Sequence, residues 1–278
     1  KTAYEIRLSL VGSEMCIRDR WRRRAVKPEV PKFDESRDPA VDQSVLTKSV
    51  RDLDLALQGT RLEKHVDRLH AELSAAGLVF HPPVYLSDEW GCPDQVPIIG
   101  VPFYLANESL TRLHDRMMEG VEAESDRDIM RYLRHEAGHA FNYAYRLFDS
   151  PEWTDVFGPF VRPYPDEYQP RPYSRSYVRH LAGWYAQKHP DEDFAETFAV
   201  WLDPASDWQR VYAGWPCLKK LEYMGRIAKE TGSKPPPVTA DDYDTNEQFL
   251  DASIGDLYKR WAQPAGEPPR AFDSALTE

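Results

Sequence analysis

The chain has 278 residues, 41% of them hydrophobic and 12% aromatic, enough to bury the core of one large domain or two small ones, which excludes wholesale disorder. Thirty-five basic against forty-six acidic side chains give a net charge of -11, which argues against affinity built on neutralising phosphates, so no nucleic-acid partner is expected. No apolar run approaches the roughly 20 residues of a membrane-spanning helix, and no membrane partner is expected; three dispersed cysteines, Cys16, Cys92 and Cys217, exclude a thiolate zinc site or disulfide framework and favour a reducing, cytoplasmic compartment.

In chain order, residues 1–20 end in Leu10-Val11-Gly12-Ser13-Glu14-Met15-Cys16-Ile17-Arg18-Asp19-Arg20, which resembles a translated sequencing-adapter read-through; they are set aside, and the natural start is expected to be missing. Residues 21–58 are charged, contain proline and read as an arm or linker. The domain proper is expected over 59–262. Leu62, Val66, Leu69 and Leu73 at helical spacing, with Gly77 beyond them, predict a helix over 60–76. Leu78-Val79-Phe80 and Val84-Tyr85-Leu86 read as strand pieces, and Ile98 to Leu105 as an edge strand because Pro97 and Pro102 each remove a ladder donor. Ser125 to Asp128 has the form of a capping box, and Ile129, Leu133, Ala137, Ala140, Ala144 and Leu147 continue it as a helix over about 126–148. The proline-punctuated stretch 149–191 reads as mostly irregular surface, with a short helix near Ser176 to Lys188. Phe194, Phe198 and Trp201 open another helix stopped by Pro204, further helices are expected over 206–230 and 246–262, and residues 263–278 read as a flexible tail.

The motif that carries chemistry is His135-Glu136-Ala137-Gly138-His139. Residues four apart share a helix face, so both imidazoles can converge on one tetrahedral zinc while Glu136, about 100° round, reaches a water on the open side. A catalytic zinc needs a third protein ligand. The position six beyond His139 holds Tyr145 rather than histidine, which removes the metzincin plan. Glu192-Asp193-Phe194-Ala195-Glu196 offers two carboxylates four apart on a later helix, one to bind the metal and one to support a histidine from behind. Spacing alone leaves Glu196, His180, His189 and Asp193 open as alternatives to Glu192. His65, His70, His81 and His114 stand singly and read as structural.

Over residues 130–200, the pair His135 to His139 and Glu192-Asp193-Phe194-Ala195-Glu196-Thr197-Phe198 resembles the gluzincin metallopeptidases, most closely the lethal-factor-like branch and the bacterial zinc-binding metallopeptidases. The resemblance implies an α+β, zincin-like fold: a small mixed sheet packed on the motif helix, with a mostly helical C-terminal half. It implies His135, His139 and Glu192 as metal ligands for one Zn2+ per chain, Glu196 as the residue orienting a ligand, Glu136 as general base, and Tyr185, seven residues before Glu192, as oxyanion donor. Tyr177 and Tyr173 are rivals for that hydroxyl.

The expected activity is zinc-dependent hydrolysis of peptide bonds in a peptide or protein substrate, with Glu136 acting on a metal-activated water. The competing readings are a metal-binding pseudo-enzyme or partner-recognition module on the same fold, and a non-peptide amide hydrolase. The presence of Glu136 weighs against a purely structural metal. The 98–105 edge strand is a place where an extended peptide could add, and Arg162, Arg171, Arg175 and Arg179 hint at an acidic substrate group, although pairing with Asp166, Glu167 or Asp191 is the favoured reading. Trp153, Phe157, Phe160 and Trp184 could line a pocket or form a satellite core.

Overall fold

A computed structural model describes residues 15–16, 43–118, 125–165, 167–241, 243, 245 and 248–262; the expected tail after 262 lies outside the described residues. Helix α1 (Arg61–Ala75) starts where the Thr60 hydroxyl accepts the Leu62 N–H. It ends at Gly77, whose φ of +83° lets the Gly77 and Leu78 N–H groups turn back onto the carbonyls of Ser74 and Leu73. Leu62, Leu69 and Leu73 are buried on the face the periodicity marks out.

Four short strands follow the order β1-β3-β4-β2: β1 (Met15–Cys16), β2 (Val84–Ser87), β3 (Gly91–Cys92) and β4 (Ile99–Pro102). β2 and β4 run parallel, with Val84 opposite Ile99, while β3 runs antiparallel to both β4 and β1, so the sheet is mixed. The strand expected at the edge, residues 98–105, is therefore shorter and central: β4 is buried throughout and flanked on both sides. Pro97 precedes the strand and Pro102 is its last residue, so neither interrupts the ladder, and residues 103–106 turn into a 3-10 helix. Leu78 to Phe80 belongs to no strand; the Val79 N–H donates to the carbonyl of Gly232.

Helix α2 (Glu108–Met118) carries no expectation from the sequence, whereas α3 (Asp126–Tyr145) begins on the predicted cap, the Ser125 hydroxyl accepting the Asp128 N–H at 3.1 Å. Arg146 in left-handed backbone (φ +49°) ends α3 and passes the chain into a 3-10 turn over Leu147–Asp149. The 149–191 stretch is more ordered at its start than expected, with α4 (Pro151–Phe157), and less ordered later. Instead of a helix near 176–188 there is one 3-10 turn, Tyr185–Gln187, after Trp184 at φ +54°. Helix α5 (Pro190–Leu202) follows. The helix expected over 206–230 is two, α6 (Trp208–Val211) and α7 (Leu218–Thr231), divided at Gly214 (φ +73°) and Pro216. The last helix, α8 (Ile254–Ala262), is tied to residues 48–50 by the Ile254 N–H on the Lys48 carbonyl, and Val50 is buried in the same core.

The result is an α+β arrangement, mostly helical among the described residues, with β3 and β4 packed on α3 and α5 packed on the same helix. Arg134 of α3 forks onto the Glu72 carboxylate of α1 at 2.7 and 2.8 Å and reaches Asp203 at 3.2 Å, joining three elements through one buried guanidinium. No described helix is long and apolar enough to cross a membrane.

Candidate metal centre

Two buried helices build the site. Every residue of α3 from Tyr132 to Tyr145 is buried, so its polar side chains must be satisfied by protein groups or by a ligand. Helix α5 opens with Pro190 at its first position and Asp191, Glu192 and Asp193 in its first turn, where the unpaired N–H groups and the helix dipole favour carboxylates. The two helices come into contact at Gly138, where a Cβ would lie 2.7 Å from Ala195 Cα and 3.0 Å from its carbonyl oxygen. Gly138 lies between His135 and His139, and Ala195 lies between Glu192 and Glu196. The missing side chain is what lets the imidazoles of one helix meet the carboxylates of the other.

His135 Nε2 and His139 Nε2 are 3.2 Å apart, and Glu192 Oε2 lies 3.0 Å from the first and 3.4 Å from the second. Ligands about 2.0–2.1 Å from a tetrahedral zinc are separated by about 3.3–3.4 Å, so this triangle has the size such an ion requires. The far nitrogens fix the tautomers: His135 Nδ1–H donates to Glu196 Oε1 at 3.1 Å, and His139 Nδ1–H donates to Asp191 Oδ2 at 2.6 Å. With Nδ1 as the protonated nitrogen of each neutral imidazole, both Nε2 atoms direct lone pairs at the Glu192 oxygen, an arrangement that a shared cation relieves.

The electrostatics agree. Burial disfavours charge on both imidazoles, yet Glu192 and Glu196 raise His135 to about 9, and Asp191 and Glu192 push His139 well above the usual histidine value. Burial would likewise raise the Glu192 carboxyl, but His139 and His135 hold it well below the usual range. Protons on both Nε2 atoms would face each other across 3.2 Å, so the demand for positive charge at this point fits a metal ion better than two imidazolium groups. Glu136 stands beside the triangle with both carboxylate oxygens buried and without a hydrogen-bond partner, and burial pushes its carboxyl up to about 7. His135, His139 and Glu192 thus form a buried group able to hold a metal ion.

The other candidate residues are not corners of the triangle. Glu196 sits behind His135, where it also accepts the backbone N–H groups of Leu181 at 3.0 Å and His180 at 3.3 Å. His180 Nε2 bonds the carbonyl of Arg131 and His189 Nε2 that of Arg162, while Asp193 pairs with Lys220 at 2.5 Å. The Tyr185 hydroxyl is 3.2 Å from that of Tyr164, and its ring centre is 5.7 Å from that of His135. Tyr177 instead packs under the Lys220 ammonium, and Tyr173 is 74% exposed. Trp153, Phe157 and Phe194 pack together in the main hydrophobic core with Phe160 against them, rather than lining a pocket or forming a satellite core, and Trp184 packs on Tyr173. The single histidines are structural: His70 stacks on His81 and His114 on Tyr104, and His65 Nδ1 lies 2.6 Å from the Arg61 carbonyl.

Two residues of the site are not anticipated by the sequence reading. Asp191, considered there only as a partner for arginine, also accepts from Asn142 Nδ2 at 2.6 Å and the Tyr143 hydroxyl at 2.7 Å, so three groups of α3 fix one carboxylate. A hint was present: Asn142 and Tyr143 follow His139 at the spacing that shares its face. Tyr164 donates to Glu192 Oε1 at 2.5 Å, leaving Oε2 to face the histidines. It lies in proline-rich loop with no periodicity, so no local signal marks it.

The fold and this centre define an α+β chain with a buried group of two histidines and a glutamate able to hold a metal ion. Residues 108–214, which span α3, the following loop and α5, match the sequence profile of a family described as "Putative zinc-binding metallo-peptidase". Neither curated proteins nor solved structures give a match to the chain.

Proposed function

We propose that the chain is a zinc-dependent peptidase of the gluzincin type, with His135, His139 and Glu192 holding one zinc and Glu136 as general base. The observation that carries this reading is the pairing of the lone-pair triangle with the partnerless, buried Glu136 carboxylate beside it. A metal that served only to staple helices would gain nothing from that carboxylate, whose burial is costly.

A zinc held there supplies Lewis acidity, polarising a carbonyl and lowering the pKa of a water towards about 7. Glu136, with its carboxyl raised to about 7, is matched to accept a proton at an Oε atom from the attacking water and to pass it to the leaving amine nitrogen. Tyr185 donates its hydroxyl proton in a hydrogen bond to the oxygen of the scissile carbonyl as negative charge develops on it. Glu196 and Asp191 keep the histidine Nδ1 protons in place, so both imidazoles present Nε2 to the metal. Binding of an extended peptide by strand addition cannot use β4, which is enclosed by β3 and β2, and could use β3, which packs on α3, only in place of the two residues of β1 that pair with it.

Metal analysis and proteolysis test the reading together. Purified protein is expected to contain about one zinc per chain, and Glu136→Gln to keep it while losing cleavage of a mixed peptide library. Wild type that binds zinc but cuts no peptide would defeat the proposal; cleavage of small amides alone would redirect it to a non-peptide amidase.

A further inference from the structure

The loop before α5 carries a ladder of aromatic rings and guanidinium groups that the metal centre does not use. Tyr173 and Trp184 meet edge to face at 5.7 Å. The Arg179 guanidinium lies 5.9 Å from the Tyr173 ring and 4.9 Å from Trp215, and Arg175 covers the same indole at 5.4 Å. Trp184 is the residue before Tyr185, so the inner rung adjoins the tyrosine of the candidate site.

Three properties set this surface apart. Arg175 and Arg179 are exposed, and among the described residues neither pairs with a carboxylate, although the chain has a net charge of -11. Tyr173 presents a ring that is 74% exposed from backbone at φ +64°, and Trp184 sits at φ +54°, conformations that bulky side chains rarely adopt and that concentrate at ligand-binding positions. A guanidinium stacked on an indole keeps its N–H edge available to fork onto a carboxylate while its face is held, so little freedom is lost on binding.

Building on the peptidase reading above, we propose that this ladder recognises acidic side chains of the peptide substrate, selecting peptides with Asp or Glu near the scissile bond. An acidic peptide fits better than a nucleic acid: two cations on an acidic protein neutralise few phosphates, and a long polyanion would meet repulsion from the rest of the surface.

The test is fluorescence anisotropy with a labelled hexaglutamate peptide on full-length, zinc-loaded E136Q, with hexalysine, a Gly-Ser hexapeptide and a short oligothymidine as comparisons. Hexaglutamate is expected to bind best, more weakly as salt rises. Binding should fall about tenfold or more when R175Q and R179Q are added, and by less with R175K and R179K, which keep charge but lose the fork. Equal binding with and without the glutamine pair, no hexaglutamate binding at low salt, or tighter binding of oligothymidine would overturn the proposal. Library cleavage by wild type separates the two claims. Ladder-dependent hexaglutamate binding without any cleavage would defeat the peptidase reading and leave acidic-peptide recognition standing. Cleavage indifferent to flanking charge, with binding unaffected by the glutamine pair, would defeat the ladder alone.

Discussion

Residues 129–145 and 190–200 are buried almost without interruption although they carry two histidines and five carboxylates, whereas most of the described loop between 158 and 184 is exposed and supplies aromatic rings and arginines. In the helices nearly every polar group has a partner of fixed geometry: His135 with Glu196, His139 with Asp191, and Asp193 with Lys220. In the loop Tyr164 and the backbone at 180–181 reach the centre, while Tyr173, Trp184, Arg175 and Arg179 stack with one another and with Trp215. The contrast teaches a division of labour. Packing between helices presets where a metal can sit, while the loop is left to adjust what is presented to it.

Substitutions can break that comparison, beginning with the largest effect. E136Q should lower peptide cleavage by about 10²–10⁴-fold, read in a library assay, with zinc content unchanged by mass spectrometry. If cleavage survived, the base would have to come from the loop. G138A should cost about 3 kcal/mol or more, because the added methyl meets backbone rather than a movable side chain; a melting curve and loss of bound zinc would register it.

A third prediction concerns pH. Burial pushes the His180 imidazole down to about 4, below its value in an unfolded chain. The unfolded state therefore takes up the proton first on acidification, so this contribution is complete above about pH 6.5 and is lost as pH falls towards 4, amounting to at most about 3 kcal/mol. Urea melts of metal-free protein should show a steeper acid loss for wild type than for H180Q, and parallel slopes would contradict the assignment.

Smaller effects sharpen the boundary between the two regions. D191N should weaken zinc binding about 10–100-fold in chelator competition, and Y164F should fall near the lower end of that range, because each holds a ligand rather than being one. Y173A should leave stability within about 0.5 kcal/mol of wild type, as befits an exposed ring in the loop.

The regions also differ in how far their sequence discloses them. Helix α3 is announced by its capping box and apolar spacing, and the pairing of a histidine helix with a later carboxylate helix is legible because helical periodicity ties spacing to direction. Which carboxylate faces the histidine Nε2 atoms is not, since it depends on the crossing at Gly138 and Ala195, a contact between residues 57 positions apart. The position of β4 illustrates the same gap: prolines at the two ends of a strand and prolines along an exposed edge look alike until the neighbouring strands are in place. Tyr164 reaches Glu192 from irregular chain whose path is set by aromatic stacking, and stacking leaves no period to read.

The hydrogen atom that serves as the side chain of Gly138 works as a gauge block. It fixes the separation between two rods, and the reach of a glutamate is cut to that separation. A chain carrying the same histidines but alanine at that point would need its second rod farther out, and a different length of acidic arm to span the gap. Exchange at this residue should therefore be tolerated only if the second rod itself shifts outward, since the nearest atoms, the Cα and carbonyl oxygen of Ala195, remain whatever side chain stands there.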